Sequence, residues 1–363
     1  MKDLTLIVHA KSFGDSLLAI PYLKYMEEES GLVILTGRRG ASVIRRVFRE
    51  GVVLLPSNLR TVWRFLKDLA PFSGRIARAY VINPPLFGCL VARFLGAREV
   101  YAFDQVEDHK FDGEESRHRE LFPAWKSSLI RMLSTKSYCR QNDDKHEVFR
   151  EFQLSEGQYS KERFRAILKG GWLPRPPEQP KTAITLAPYS SSMYKDWPPE
   201  NYLRLVRRLD EALAEQGQDY EIVIVGSHLD PRFDELADSI ASVRNMLGKT
   251  TIDELYGIVA QSRLLIGNDS FILHIASAYD CPAIGIFGAN TPRTFGSISS
   301  RSHNFYKPPS CSPCIPIPGS VCLAKLTTCL GIADVSVEEV FTKAGEFLGS
   351  GVDTVGLEAD STR

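Results

Sequence analysis

No run in this 363-residue chain approaches the roughly 18 consecutive apolar residues that a membrane-spanning helix needs. A basic excess is missing as well. Lys+Arg and Asp+Glu number 44 each, so the net charge is near zero. That argues against a nucleic-acid partner, which usually leaves a basic footprint. The opening residues, MKDLTLIVHAKSFGDS, hold only a short apolar run that breaks at His9 and Lys11. This is not the pattern of a secretory signal, and the expectation is a cytoplasmic protein. The seven cysteines do not contradict that, since four crowd into residues 311–329 and three are scattered.

What remains is ordinary globular material, 44% hydrophobic and 24% charged. The length suffices for two α/β domains, each with its own core. One local charge bias stands out. Arg38, Arg39, Arg45, Arg46, Arg49, Arg60, Arg64 and Lys67 fall close together. A solvated helix face accounts for them, and so does attraction to an anionic acceptor or a membrane surface.

Strand-like and helix-like segments alternate along the chain. Leu4–His9, Leu32–Thr36, Val52–Leu55 and Arg78–Asn83 read as strands, with a helix over Ser16–Glu29 and another ending near Leu95. Residues 104–145 are polar and poor in strand signals, and read as a mobile insert with one helix near Trp125–Leu133. Gly and Pro crowd residues 169–180, which marks a linker at 171–180 between domains 1–170 and 181–348. The second half repeats the rhythm. Strands are expected at Thr182–Ala187, Glu221–Gly226, Leu264–Ile266 and Pro282–Gly288. Helices are expected at Pro199–Ala214, Asp234–Ile240, Thr251–Ala260 and Val337–Leu348, with a tail over 349–363. Such alternation predicts doubly wound parallel sheets.

In open α/β sheets, ligands bind at the carboxyl ends of strands, beside helix N-termini. Four places satisfy that rule. Gly267-Asn268-Asp269-Ser270 closes a strand and opens a helix carrying His274, so Asp269, Ser270 and His274 become ligand-site candidates. Ser190, Ser191 and Ser192 follow a strand as a potential phosphate nest, with Lys195 close behind, which by itself reads as an ordinary surface lysine. Asp15 follows the first strand, where a carboxylate can take a proton from an acceptor hydroxyl. Its competing role is an N-cap for a helix starting at Ser16. Asp230, with Asp234 as alternative, lies past a strand where an acidic group commonly binds ribose. Trp197 reads as a packing residue. Cys311, Cys314, Cys322 and Cys329 can hold a tetrahedral metal, remain as free thiols, or form disulfides, which a reducing cytoplasm disfavours.

The block Asn268-Asp269-Ser270-x-x-x-His274-x-Ala276, followed by Phe287-Gly288 and Thr291, resembles the C-terminal signature of glycosyltransferase family 9, the heptosyltransferase-like enzymes. Gly14-Asp15 with Pro21 resembles that family's opening motif. Lys195-x-Trp197-Pro198-x-Glu200-x-Tyr202 resembles its most specific segment, and Leu247 to Leu255 its base-pocket segment, near Thr250. The resemblance covers residues 4–30 and about 182–345. It departs at Phe271, where the family usually has glycine, a residue that eases close backbone approach to a phosphate.

The resemblance implies a GT-B type α/β fold, with two Rossmann-like domains facing a central cleft. The acceptor would sit on the first and the nucleotide sugar on the second. It implies an inverting, metal-independent glycosyltransferase moving a sugar, most readily heptose from ADP-heptose, to a lipopolysaccharide-core or similar glycan hydroxyl. Asp15 would be the base, and no cofactor would take part in catalysis. Members that modify autotransporter proteins bind iron through a cysteine cluster, so a structural zinc or iron would fit Cys311–Cys329. The implied partners are a nucleotide diphosphate sugar and a glycolipid or glycan acceptor, with peripheral contact at the cytoplasmic membrane face. Two other classes stay open. One is an epimerase-like sugar-nucleotide enzyme. The other is a non-catalytic module binding a nucleotide sugar or a partner protein.

Overall fold

The computed structural model describes residues 3–106, 110–111, 114–115, 123–140, 146–155, 160–169, 171–175, 182–217, 219–309, 312 and 329–349. The chain divides into two compact units. Unit one comprises Met1–Pro174 with Arg293–Phe295, and unit two comprises Arg175–Pro292 with Gly296–Arg363.

Unit one begins β1 (Leu4–His9), α1 (Phe13–Leu18), α2 (Ile20–Glu29), β2 (Gly31–Thr36), α3 (Arg38–Ile44), β3 (Val52–Leu54) and α4 (Leu59–Leu69). It continues with β4 (Ile76–Asn83), α5 (Pro85–Phe94) and β5 (Glu99–Val106). A two-residue hairpin of β6 (Lys110–Phe111) and β7 (Glu114–Glu115) comes next. Then follow α6 (Ala124–Leu133), β8 (Lys136–Arg140), α7 (Glu147–Arg150) and α8 (Lys161–Leu168). The main sheet is parallel, in the order β3-β2-β1-β4-β5-β8. Strand order reverses between β1 and β4, which makes that pair the topological switch point. Right-handed crossovers then put α4, α5 and α6 on one face of the sheet, and α1 to α3 on the other. Leu6, Val8, Val33, Leu35 and Val81 pack from the sheet against Phe65, Leu69, Ala92, Leu95 and Ile130. Phe65 of α4 also meets Phe87 of α5, with ring centroids 6.1 Å apart.

Unit two contains β9 (Ala183–Ala187), α9 (Pro199–Glu215), β10 (Glu221–Ile224), α10 (Pro231–Ser239), β11 (Val243–Asn245), α11 (Ile252–Ala260), β12 (Ser262–Asn268) and α12 (Phe271–Ala278). After these come β13 (Ala283–Phe287), the short α13 (Pro292–Phe295), β14 (Ser302–Tyr306), α14 (Leu330–Ala333) and α15 (Val337–Leu348). Its sheet is again parallel, in the order β11-β10-β9-β12-β13-β14, so its switch point lies between β9 and β12. Ile184, Leu186, Ile222, Ile224, Leu264 and Ile266 form the sheet side of the core. Leu205 and Leu209 of α9 and Val340, Phe341 and Ala344 of α15 cover it.

Three sequence expectations need correction. The helix expected over Ser16–Glu29 starts at Phe13 and breaks at Ala19, so Pro21 becomes the second residue of a new helix, where its missing N–H costs little. The expected insert at 104–145 contains part of β5 and all of β8, the latter an edge strand of the main sheet. Strands β11 and β14 also went unseen. Both lie at sheet edges, where one side is half exposed and the continuous apolar run of a buried parallel strand is lost.

Candidate functional site

At the switch point of unit two, β12 ends in Asn268, which is fully buried. Its Oδ1 accepts from the Trp197 backbone N–H (3.1 Å) and the Tyr202 hydroxyl (2.9 Å), and its Nδ2 donates to the Pro188 carbonyl (2.7 Å). One amide therefore pins the whole Lys-x-Trp-Pro segment to the end of β12. Trp197 packs as expected. It is fully buried, its indole donates to the Val335 carbonyl (2.7 Å), and its ring stands edge-on to Tyr202 at 4.9 Å.

That anchoring brings Lys195 to Asp269. The ammonium lies 2.9 Å from Asp269 Oδ2 and 3.4 Å from the Asp269 carbonyl oxygen. The Asn290 side-chain amide donates to the same carboxylate. Asp269 is buried, while Lys195 keeps some exposure. Ser270 follows in extended conformation as the N-cap of α12, but makes no side-chain cap bond. Its hydroxyl is buried without a hydrogen-bond partner. Ser270 thus does not supply the cap bond that an N-cap serine usually makes to the N-terminal amides of α12, and an ammonium group lies nearby. His274 is buried in the first turn of the same helix. Lys195, Asp269 and Ser270 thus come together, with His274 one turn along the same helix.

The serines after β9 differ among themselves. The Ser190 hydroxyl donates to the Ser192 carbonyl (2.8 Å) and accepts from its N–H (3.2 Å), and the Ser190 N–H donates to Asp196 Oδ1 (2.8 Å). Ser190 builds the turn, whereas Ser191 is exposed and Ser192 caps a short turn over Met193–Lys195 with no side-chain bond. Asp196 is held above its ordinary carboxylate range, chiefly by burial.

Asp230 is the N-cap of α10. Its Oδ1 accepts from the Arg232 N–H (3.1 Å), and its Oδ2 accepts from the Arg232 guanidinium, whose Nη2 is 2.6 Å away, and from the Tyr189 hydroxyl. Those bonds, the guanidinium foremost, depress its pKa to about 2. A ribose hydroxyl there would have to share an already occupied carboxylate. The alternative, Asp234, accepts from Asn245 Nδ2 (2.9 Å) and pairs with Lys249 (2.8 Å). Thr250 is half-buried, and the cap of α11 is its neighbour Thr251, reciprocally bonded to Glu254.

In unit one, Asp15 sits just past β1, also at a switch point. It is not the helix cap, because α1 starts at Phe13 and Ser12 is its N-cap. The Ser12 hydroxyl donates to Asp15 Oδ2 (2.6 Å) and accepts from the Asp15 N–H (3.4 Å). The Asn83 side chain of β4 steadies the exit of β1 by donating to the Ala10 carbonyl (2.8 Å). Beneath this turn lies a buried charge cluster that sequence reasoning missed. Lys11 Nζ bonds Glu147 (3.1 Å) and Glu151 (2.9 Å), Arg150 bonds Glu147 (2.9 Å), and His9 Nε2 is 3.5 Å from Glu151. Two cations balance two anions, so the cluster fixes the chain on either side of Lys11 at little net cost in charge. Nothing local announces Glu147 and Glu151, which lie 136 and 140 residues from Lys11.

A recess of about 500 Å³ lies elsewhere, at the amino ends of β1, β4 and β5. Its charged lining is paired, Arg78 with Glu99 at 3.1 Å, Arg98 with Asp3, and Glu29 with Arg163 outside the recess. It is the end of the sheet opposite the switch-point turns. Of the proposed metal ligands, Cys311, Cys314 and Cys322 lie outside the described residues. Cys329 is buried at the start of α14. A side chain at Gly288 would come within 2.7 Å of Ile332 and 3.2 Å of the Cys329 sulfur, so the α14 segment needs glycine at the end of β13.

Comparison with known proteins decides the family. The model of glycosyltransferase family 9 (heptosyltransferase) matches residues 86–321, well over half of the chain. This chain belongs to glycosyltransferase family 9. Lipooligosaccharide heptosyltransferase 2 of Haemophilus influenzae is 29% identical over 114 residues, which is 30% of this chain and 31% of that relative. The match thus spans less than a third of the relative's length. Two solved structures share the fold over nearly the whole chain. ADP-heptose lps heptosyltransferase II of Escherichia coli has a TM-score of 0.64 at 16% identity, covering 95% of this chain and 98% of that one. A family 9 glycosyl transferase from Veillonella parvula has a TM-score of 0.66 at 14% identity, covering 95% and 97%. The α/β, GT-B class expected from the sequence is therefore the one found.

The family 9 match begins at residue 86, so it takes in much of 31–180, where no signature was recognised, and leaves Asp15 outside. The family 9 departure at Phe271 has a simple accommodation. Phe271 is the first residue of α12 and its ring packs edge-on against Tyr256 of α11 at 5.9 Å. Its φ is not positive, so the conformational freedom of glycine is not required there.

Proposed function

We propose that this chain is an inverting, metal-independent glycosyltransferase that moves a sugar from a nucleotide diphosphate to a glycan hydroxyl. Heptose from ADP-heptose is the donor favoured by the family, and a lipopolysaccharide-core or similar glycolipid the acceptor. Residues 181–348 would bind the donor and residues 1–170 the acceptor, at the cytoplasmic face of the membrane. One observation carries the reading. Lys195, the N-terminus of α12 and the partnerless, buried Ser270 hydroxyl meet at the β9/β12 switch point. A helix N-terminus beside an ammonium group is suited to an anion such as a diphosphate.

In the reaction, Asp15 accepts the proton of the acceptor hydroxyl as its oxygen bonds the anomeric carbon. The bond from that carbon to the diphosphate breaks, and its electron pair leaves with the phosphate oxygen. Lys195 and the α12 amides offset the charge that develops there. Attack opposite the leaving group inverts the anomeric centre. Ser191 and Ser192 would add hydroxyls near the diphosphate, and His274 would support the first turn of α12. Asp230 would reach a ribose only by sharing its carboxylate with Arg232, and Thr250 would border the base.

Thermal-shift measurements against nucleoside diphosphates and their sugars test the donor site. A ligand that binds only the folded state raises Tm, by about 2.7 kcal/mol of stability at a hundredfold excess over Kd. ADP and ADP-heptose should raise Tm, and sugar transfer should require an acceptor. No shift with any nucleotide would remove the reading, and turnover of the donor without an acceptor would point to other chemistry. A structural zinc or iron on Cys311, Cys314, Cys322 and Cys329 is part of the same proposal. Elemental analysis should find about one metal per chain. Its absence, with four freely titrating thiols, would exclude it.

A further inference from the structure

Helices α4, α5 and α6 lie side by side on one face of unit one, and each shows apolar side chains to the outside. On α4, Trp63 is 81% exposed. On α5, Leu90 is 51% and Phe94 70% exposed. On α6, Trp125 is 62% exposed, Met132 71%, and Leu129 lies between them. The spacing within each helix is that of a single outward stripe, opposite the core-facing side that holds Phe65, Cys89, Ala92 and Ile130. Large apolar residues scattered singly would need no explanation, but three adjacent helices doing this together do.

Helix α5 is the clearest case. Its only charged residue is Arg93, whose guanidinium turns away to the carbonyls of Leu133 (2.7 Å) and Ala97 (2.9 Å). The outward side of α5 is left without charge. A helix apolar on all sides normally has something covering both faces.

The charge on this face says what covers it. The three helices carry six basic residues against one acidic residue, Asp68; since Arg93 turns inward and Arg131 pairs with Asp104 of β5, the outward excess rests chiefly on Arg60, Arg64 and Lys67 of α4. The whole chain is neutral. On α4 the basic residues share the outward stripe with the tryptophan, since Arg60, Trp63, Arg64 and Lys67 follow one another at i, i+3, i+4 and i+7. The remaining basic residues of the early chain, on α3 and just after it, belong to the other face of the sheet. Aromatic and aliphatic side chains flanked by a stripe of Lys and Arg are the pattern of a surface that lies in a lipid headgroup layer. A second copy of this chain fits less well, because a two-fold contact would set the same positive face against itself. No described helix is long and apolar enough to cross a membrane, so contact would be at the surface.

We infer that the α4–α6 face of unit one docks on an anionic lipid bilayer, with Trp63, Leu90, Phe94 and Trp125 entering the headgroup region. This would hold unit one at the plane where a lipid-anchored acceptor is presented, but the docking itself does not depend on the proposed transfer reaction.

The chain supplies its own probe. It has four tryptophans, and Trp172 and Trp197 are already buried, so only Trp63 and Trp125 can report on this face. With vesicles of phosphatidylglycerol and phosphatidylethanolamine, the full chain should co-sediment. Its emission should shift to the blue, and acrylamide quenching should fall. Phosphatidylcholine vesicles should give none of these, and added salt should release the protein. Reversing Arg60→Glu, Arg64→Glu and Lys67→Glu together should lower the partition by more than about a hundredfold, since each basic residue lost near such a surface is worth about fivefold and the three new carboxylates add repulsion. Leu90→Asp with Phe94→Asp should do at least as much. These side chains are exposed, and an unchanged Tm and far-UV circular dichroism would show that the variants fold. Unchanged fluorescence of the wild type with anionic vesicles would overturn the inference. So would equal binding to neutral vesicles, or burial of the two tryptophans in a concentration-dependent dimer without lipid.

Discussion

Replacing Asp15 by asparagine is expected to lower kcat by about 10²–10⁴-fold, the span of a lost general base, while donor affinity and Tm stay nearly unchanged. The structure sharpens why this single change separates roles. Asp15 is the third residue of α1, and Ser12 is the cap. An asparagine keeps an oxygen for the Ser12 hydroxyl, 2.6 Å away in the wild type, and keeps the backbone N–H that Ser12 accepts. What it loses is the negative charge near a helix N-terminus, worth about 0.3–1 kcal/mol at an exposed site. That is a shift of a few degrees at most, far below the predicted loss of rate. It also loses the capacity to take a proton. A purely structural Asp15 would therefore leave kcat intact and lower Tm slightly. Measuring both on one preparation distinguishes the cases, and a fully active variant would move the search for the base to another carboxylate.

Apart from β3, a short edge strand of three apolar residues, the strands most visible in the sequence were those buried on both sides. β1, β2, β9, β12 and β13 read as nearly continuous apolar runs because helices cover both faces of a parallel sheet. β8, with the sequence Lys-Ser-Tyr-Cys-Arg, pairs only with β5 and has a polar outer edge, so it resembles a loop. The break of the first helix at Ala19 was hidden for another reason. Pro21 is harmless in the first turn of any helix, and only the position of the Ser12 cap shows where α1 starts.

The candidate site divides in the same way. That Lys195, Asp269 and Ser270 share one place followed from their positions after strands at a switch point. Which partner each takes did not follow. Lys195 meets a backbone 74 residues away, and Asp230 is bound by a tyrosine 41 residues earlier. Such pairings depend on how segments pack, and no local pattern encodes them. The Lys11–Glu147–Glu151 cluster was out of reach for the same reason.

Lys195→Ala should raise the Kd for a nucleoside diphosphate more than tenfold and lower turnover by a similar factor, because a charged hydrogen bond in a shielded site is worth about 1.5–3 kcal/mol. The same substitution does something else. Lys195 is the cation 2.9 Å from Asp269, which is buried and otherwise held by Asn290. Removing the lysine leaves that carboxylate short of a partner, at a cost of about 1–3 kcal/mol. Tm should therefore fall, and weaker binding alone could be blamed on a loosened site. The double variant Lys195→Ala with Asp269→Asn resolves this. It removes the orphaned charge together with its partner, so Tm should recover toward the wild type. Diphosphate affinity should not recover, since the ammonium group is still missing. Affinity that returns along with Tm would mean that Lys195 acts only through the order of the β12–α12 turn. Equal affinity in the wild type and the single variant would remove the diphosphate role altogether. If Tm recovers while affinity stays low, Lys195 neutralises the leaving group and Asp269 holds it in place until the donor arrives.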